Sequence, residues 1–258
     1  MKITCLIENT SVRDDIGSEH GLSMYVETDT SKLLFDMGQT ELFSDNAGKL
    51  GVDLSEVDAA VLSHGHYDHG GGLARFLEIN KKAPVYLSRY AFEPHLNAAS
   101  KYIGLDTSLV NSDRLIFTDD FFRINDTMSL YSCNDRERKY PTDSIGLGMI
   151  KDDKVVQDDF RHEQYLLVEE KGRRVLFSGC SHKGILNITE WFSPDVLVGG
   201  FHLSKLPLDE KLTEYAAELT ATGTSFYTCH CTGVEQYDFL RRTMKSLTYL
   251  SAGQSITI

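Results

Sequence analysis

The chain has 258 residues, 41% hydrophobic and 25% charged, enough apolar material for a sizeable core. A net charge of −12 argues against a nucleic-acid partner, because phosphate backbones demand a basic patch, and no stretch approaches a membrane span. A small anionic substrate remains compatible with that charge if bound cations reverse the field locally, and the oligomeric state is left open. Five scattered cysteines (Cys5, Cys133, Cys180, Cys229, Cys231) do not suit a disulfide framework, and Met1 to Glu8 carries no cleavage-site pattern, so a reducing cytoplasm is the expected compartment.

Residues 1 to 37 read as strands at Ile3 to Ile7, Leu22 to Glu27 and Leu33 to Asp36, with polar turn clusters between them. Asp36 closes an apolar strand just ahead of Gly38, which suits either a turn former or a carboxylate that orients a metal ligand. Leu42, Phe43, Ala47 and Leu50 have helical spacing, with Gly51 as the stop. The apolar run Ala59 to Leu62 then delivers Ser63-His64-Gly65-His66-Tyr67-Asp68-His69-Gly70-Gly71-Gly72, and Leu73, Phe76, Leu77 and Ile79 continue as a helix.

A lone histidine is most often a surface or core residue. Three histidines and a carboxylate within six positions, in a glycine-flanked strand-to-helix loop, are a different matter. Residues two apart near a strand end point the same way, so His64 and His66 can serve one cation while Asp68 and His69, past the turn, face another position. Imidazole and carboxylate are donors that suit zinc and its divalent neighbours.

Pro84 to Leu87 reads as another strand. Residues from about 89 to 145, rich in polar and aromatic side chains, read as short strands and loops lying over the site. Their charged run, Asp135 to Lys139, can meet an anionic substrate or form a solvated turn. Strands return at Ile145 to Ile150, Gln164 to Val168 and Arg174 to Phe177, the last two joined by a hairpin at Lys171-Gly172. The last of these and two further strands, from Asp195 and from Ser225, run into polar loops, at Ser178-Gly179-Cys180-Ser181-His182, at Gly199-Gly200-Phe201-His202 and at Thr228-Cys229-His230-Cys231. Helices follow, from Ile185, over Leu208 to Thr222 and over Val234 to Met244, with terminal strands at Leu247 to Leu250 and Ser255 to Ile258. No Pro/Ser-rich linker divides the chain, so residues 1–258 are expected as one domain with two similar halves and the histidines gathered along one edge.

His64-x-His66-x-Asp68-His69, Asp36, His182 and His230 together resemble the metallo-β-lactamase-fold hydrolase superfamily. Glu19-His20-Gly21-Leu22-Ser23, Gly179-Cys180-Ser181-His182-x-Gly184, Asn187, Gly199 to Leu203 and His230-Cys231-Thr232-Gly233 resemble its dihydropterin ribofuranosyl-aminobenzene phosphate synthase subgroup, over nearly the whole chain. The likeness implies an α/β fold: an αββα four-layer sandwich, two mixed sheets face to face with helices outside. It also implies two divalent ions at the edge, zinc ahead of manganese or iron. One takes His64 and His66 with a third histidine, the other Asp68 and His69 with another, the extra ligands being His182 and His230.

Where much of the superfamily has a metal-bridging aspartate, this chain has Cys180, either a thiolate ligand or a small buried apolar residue. Cys229 and Cys231 flank His230, and strand alternation turns both away from it as packing residues. His202 is read as touching substrate or a metal-bound oxygen as an acid, with a structural histidine as the competing account. His20, His95 and His162 are read as non-ligands, although His20 is placed to line the pocket. The expected activity is hydrolysis by metal-activated hydroxide, with Asp68 both binding metal and steering the proton, on a phosphoester or phosphodiester of a small pterin- or nucleotide-like molecule. The alternatives are a metal-dependent synthase or transferase on a phosphorylated pterin precursor and a non-catalytic ligand sensor. A diiron redox role is disfavoured, because diiron relatives usually replace the second histidine of the motif, here His66, with a glutamate.

Overall fold

Leu33, Leu34 and Phe35 point alternately to the two faces of one strand, yet all three are buried, so that strand must be covered on both sides. The covering elements follow from the computed structural model, which describes residues 1–142 and 144–258. One seven-stranded sheet contains β1 (Lys2–Ile7), β2 (Ser23–Glu27), β3 (Lys32–Phe35), β4 (Ala59–Val61), β5 (Val85–Ser88), β7 (Leu115–Thr118) and β17 (Ser255–Thr257), in the order β17-β1-β2-β3-β4-β5-β7. The second contains β8 (Phe121–Arg123), β9 (Met128–Tyr131), β12 (Tyr165–Glu170), β13 (Arg173–Ser178), β14 (Val196–Gly199), β15 (Ser225–Thr228) and β16 (Leu247–Tyr249), in the order β16-β15-β14-β13-β12-β9-β8. A small antiparallel sheet joins β6 (His95–Leu96), β10 (Gly148–Lys151) and β11 (Lys154–Gln157).

Both large sheets are mixed. In the first, β3, β4, β5 and β7 run parallel; in the second, β13 to β16 do. Their facing sides share one core, in which Met24, Val26, Phe35 and Val61 meet Leu130, Leu166, Val168 and Phe177, with the Phe35 and Phe177 rings 5.6 Å apart. On the outer face of the first sheet, Leu34, Ala60 and Val85 pack against α1 (Leu42–Lys49) and α3 (Leu73–Ile79) through Phe43, Ala47, Leu73 and Phe76. On the outer face of the second, Leu176, Leu197 and Phe226 pack against α4 (Ile185–Phe192), α5 (Glu210–Ala221) and α6 (Val234–Leu240). The four layers expected from the sequence are present. Between β12 and β13, Lys171 (φ 52°) and Gly172 (φ 74°) form the expected two-residue hairpin, both left-handed as the right-handed strand twist requires. Within residues 89–145, β7 extends the first sheet, β8 and β9 extend the second, and β6 joins the small sheet. Among the described residues no helix is long and apolar enough to cross a membrane.

Candidate metal centre

The parallel strands place their carboxyl ends together, and each end releases polar residues into a tight loop. Asp36 follows β3, and the segment after β4 carries His64 and His66 into α2 (Tyr67–Gly70), which holds Asp68 and His69. Cys180 and His182 follow β13, His202 follows β14, and His230 follows β15. The backbone at this edge is held in a sparsely populated conformation: Asp36 (φ 60°), Ser181 (φ 59°), His202 (φ 55°) and His230 (φ 50°) are all left-handed, a strain that clusters at functional sites.

The side chains form two donor sets. In the first, Nε2 of His64 stands 3.3 Å from Nε2 of His182, and His66 offers a ring nitrogen within 4.8 Å of both. In the second, Nε2 of His69 stands 3.2 Å from Nε2 of His230 and 3.2 Å from Sγ of Cys180, while Oδ2 of Asp68 lies 3.4 Å from Nε2 of His230. Two nitrogens bound at about 2.0–2.1 Å to a tetrahedral zinc stand about 3.3–3.4 Å apart, so these separations match one edge of a coordination tetrahedron. Nε2 of His66, Nδ1 of His182 and both ring nitrogens of His202 are buried without a partner among the described residues. Such groups are costly to leave unpaired, and the donor chemistry fits divalent cations.

The non-binding nitrogens of His64, His69 and His230 are already engaged. Asp36 accepts Ser63 N–H on Oδ1 and the Ser63 hydroxyl on Oδ2, both at 2.7 Å, and pairs with Nδ1 of His69 at 2.7 Å, which leaves Nε2 of His69 for the centre. Nδ1 of His64 is 2.9 Å from the Ser63 hydroxyl, and Nδ1 of His230 donates to Oδ1 of Asn9 at 2.8 Å. Buried Glu163 accepts the backbone N–H of His182 at 2.7 Å and that of Lys183 at 3.1 Å, clamping the loop that carries His182. Burial, reinforced by neighbouring imidazoles, holds His64, His66 and His182 well below the ordinary histidine value, so they are neutral and ready to bind. Burial works to raise the Asp68 carboxyl, but His69, His20 and His230 outweigh it and keep the group ionised.

The structure therefore brings together all the residues expected at the site: His64, His66, Asp68, His69, His182 and His230, with Cys180 between the two sets and Asp36 one layer out. His202 stands beside His182, rings 4.3 Å apart, and lines a pocket of about 280 Å³ with it. His20 reaches Asp68, Nε2 to Oδ2 at 3.3 Å. The cationic run is tied to its own chain: Arg136 donates to the Trp191 carbonyl, Arg138 to that of Asp159, and Lys139 pairs with Glu190.

Two findings depart from the sequence reading. Cys229 packs in the central core, but Cys231 does not turn away from the site; its sulfur accepts the His202 backbone N–H at 3.2 Å and lies with Cys180 and His230. Alternation fails because β15 ends at Thr228 and residues 230–232 form a tight 3₁₀ turn. His95, Asp158 and His162 also group with His66, which sequence reasoning missed. The sequence carried no signal beyond their residue types: His95 stands 63 positions from Asp158 and His162 stands 97 from Gly65, and they meet only on folding.

The chain belongs to the metallo-beta-lactamase superfamily, whose family model matches residues 16–222. Among its relatives is the 7,8-dihydropterin-6-methyl-4-(beta-D-ribofuranosyl)-aminobenzene-5'-phosphate synthase of Methanocaldococcus jannaschii, 29% identical, with 93% of this chain and 90% of that protein covered. A crystal structure described as a metal-dependent hydrolase of the beta-lactamase superfamily superposes with a TM-score of 0.86 at 30% identity, covering 100% of this chain and 99% of the other. The fold alone is shared with YhfI of Bacillus subtilis, at a TM-score of 0.60 and 14% identity, with 99% of this chain and 98% of that one covered.

Proposed function

We propose that the protein is a metal-dependent hydrolase acting on a phosphoester or phosphodiester of a small pterin- or nucleotide-like molecule. The observation that carries this reading is the meeting of two donor sets beside a pocket lined by His182, His202, Phe201, Tyr215 and the cationic Lys205 and Lys211. In a chain of net charge −12, two lysines at that pocket supply the local positive field an anion needs. His64, His66 and His182 would hold one divalent ion, and Asp68, His69 and His230 the other, with Cys180 as a shared donor. When bound, the ions polarise a phosphoryl oxygen and bring the pKa of a water to about 7.

The chain's own groups do the rest. Ionised Asp68, beside His20 and His230, is placed to take up a proton, and His202, with both ring nitrogens unpartnered, is placed to give one to the leaving group. Aromatic Phe201 and Tyr215 give the pocket apolar wall for a ring system.

The relative from Methanocaldococcus jannaschii favours a second reading, a synthase or transferase on a phosphorylated pterin precursor. A single assay separates the two. Protein loaded with zinc or manganese is given bis(p-nitrophenyl) phosphate, with and without an arylamine acceptor. The hydrolase reading expects nitrophenol release that chelator abolishes and that the amine leaves unchanged. Product formed only with the amine would favour the transferase, and metal bound without turnover on a broad ester panel would favour a ligand sensor.

A further inference from the structure

A second set of imidazoles packs against His66 and has no part in the chemistry above. One ring nitrogen each of His66, His95 and His162 and one carboxylate oxygen of Asp158 lie within 4.8 Å of one another, all on buried residues. The small sheet brings His95 there on β6, and its ring stacks on that of His162 with centroids 3.8 Å apart. Asp158 pairs with Nδ1 of His95 at 2.8 Å and accepts the Phe160 backbone N–H at 2.8 Å. Its ion-pair partners among the described residues are His95 and His162.

Two histidines and a carboxylate beside a third histidine have the composition of a cation site, but the hydrogen bonds decide against one. Gly65 N–H donates to Nδ1 of His162 at 2.9 Å, so that nitrogen keeps its lone pair. In the neutral ring the proton then sits on Nε2, which lies 3.5 Å from Oδ2 of Asp158, short of hydrogen-bond geometry, and has no lone pair to give a metal. Burial, with His95 nearby, pushes the His162 pKa down to about 4, in keeping with a neutral ring. His95 donates through Nδ1 to Asp158, which leaves the lone pair on its Nε2, buried and without a partner among the described residues. His66 stands between this cluster and the first donor set. A neutral imidazole that binds a cation through one nitrogen carries its proton on the other, and that N–H needs an acceptor. His95 Nε2 and Asp158 are the acceptors in reach.

We propose that Asp158 and His95, braced by His162, form a positioning unit that accepts the outer N–H of His66, directly or through one water, and so fixes its tautomer and ring orientation toward the cation. The proposal rests on His66 being a ligand. Its test uses the full chain, with zinc affinity and stoichiometry measured by competition with a chromogenic chelator and the His66 tautomer read from long-range ¹⁵N–¹H spectra of the zinc-loaded protein. Wild type is expected to bind two ions with His66 in one tautomer. Asp158→Asn and His95→Ala are expected to weaken one of the two ions roughly 10- to 100-fold and mix the tautomers. His95→Gln, whose amide can accept from His66 and donate to Asp158, should restore most of the affinity if the unit works through hydrogen bonds. Unchanged affinity and a single tautomer in both disrupting variants would overturn the proposal, as would a third ion in wild type that His95→Ala removes. If His66→Ala leaves both ions and their affinities unaltered, the ligand reading itself fails, a result distinct from either.

Discussion

Three imidazoles of the centre are kept neutral by the protein before any cation arrives. In the metal-free chain, burial and neighbouring rings depress His64, His66 and His182, while in the unfolded chain each titrates near about 6.5. Below that pH the unfolded state binds more protons than the native state, so stability is full above about 6.5 and is lost as pH falls. His69 runs the other way. Burial works to lower it, but Asp36 and Asp68 outweigh that and raise it to about 9, so its contribution is full below about 6.5 and is lost as pH rises through 9. Thermal melts of chelator-treated protein should therefore show a melting temperature that falls steadily from about pH 6.5 to pH 5; a flat profile, or one that rises on acidification, over that range would contradict this assignment of charge. At this scale the motif from His64 to His69 was legible because its candidate donors are neighbours in sequence. The roles of His95, Asp158 and His162 were not, because Gly65 and His162, or His95 and Asp158, meet only after folding across 97 and 63 positions.

Each strand, loop and helix unit at the edge serves to stop an apolar strand and turn its next residues into the cleft. The loop after β13 depends on Gly179, whose missing side chain makes room for Ser63: a Cβ there would run into the Ser63 hydroxyl and come within 3.1 Å of Nδ1 of His64. That hydroxyl is the group linking Asp36 to His64. Gly179→Ala is expected to cost about 1–3 kcal/mol, as overpacking of a buried site generally does, and to lower the melting temperature. Adding Ser63→Gly should recover part of the loss, and additive losses in the double variant would contradict the contact. Strand–loop–helix recurrence was readable from apolar runs ending in glycines, and these elements form within a few residues of where the sequence put them. The end of β15 was not readable to the residue, and that uncertainty is what concealed the orientation of Cys231.

At the scale of the molecule, two mixed sheets share one core, and their parallel strands end on the same edge, so donors from 166 positions of sequence, His64 to His230, face a common cleft. The layer order was legible from strand–loop–helix units recurring in both halves and from the family resemblance, whereas the pairing of β6 with β10 and β11 was not, since β6 is only two residues long. The central claim is that this cleft holds two divalent cations. Anomalous diffraction from crystals grown with zinc tests it most directly. The expected result is two peaks, one among His64, His66 and His182 and one among Asp68, His69 and His230; a cleft without peaks, or peaks bound by other residues, would contradict it.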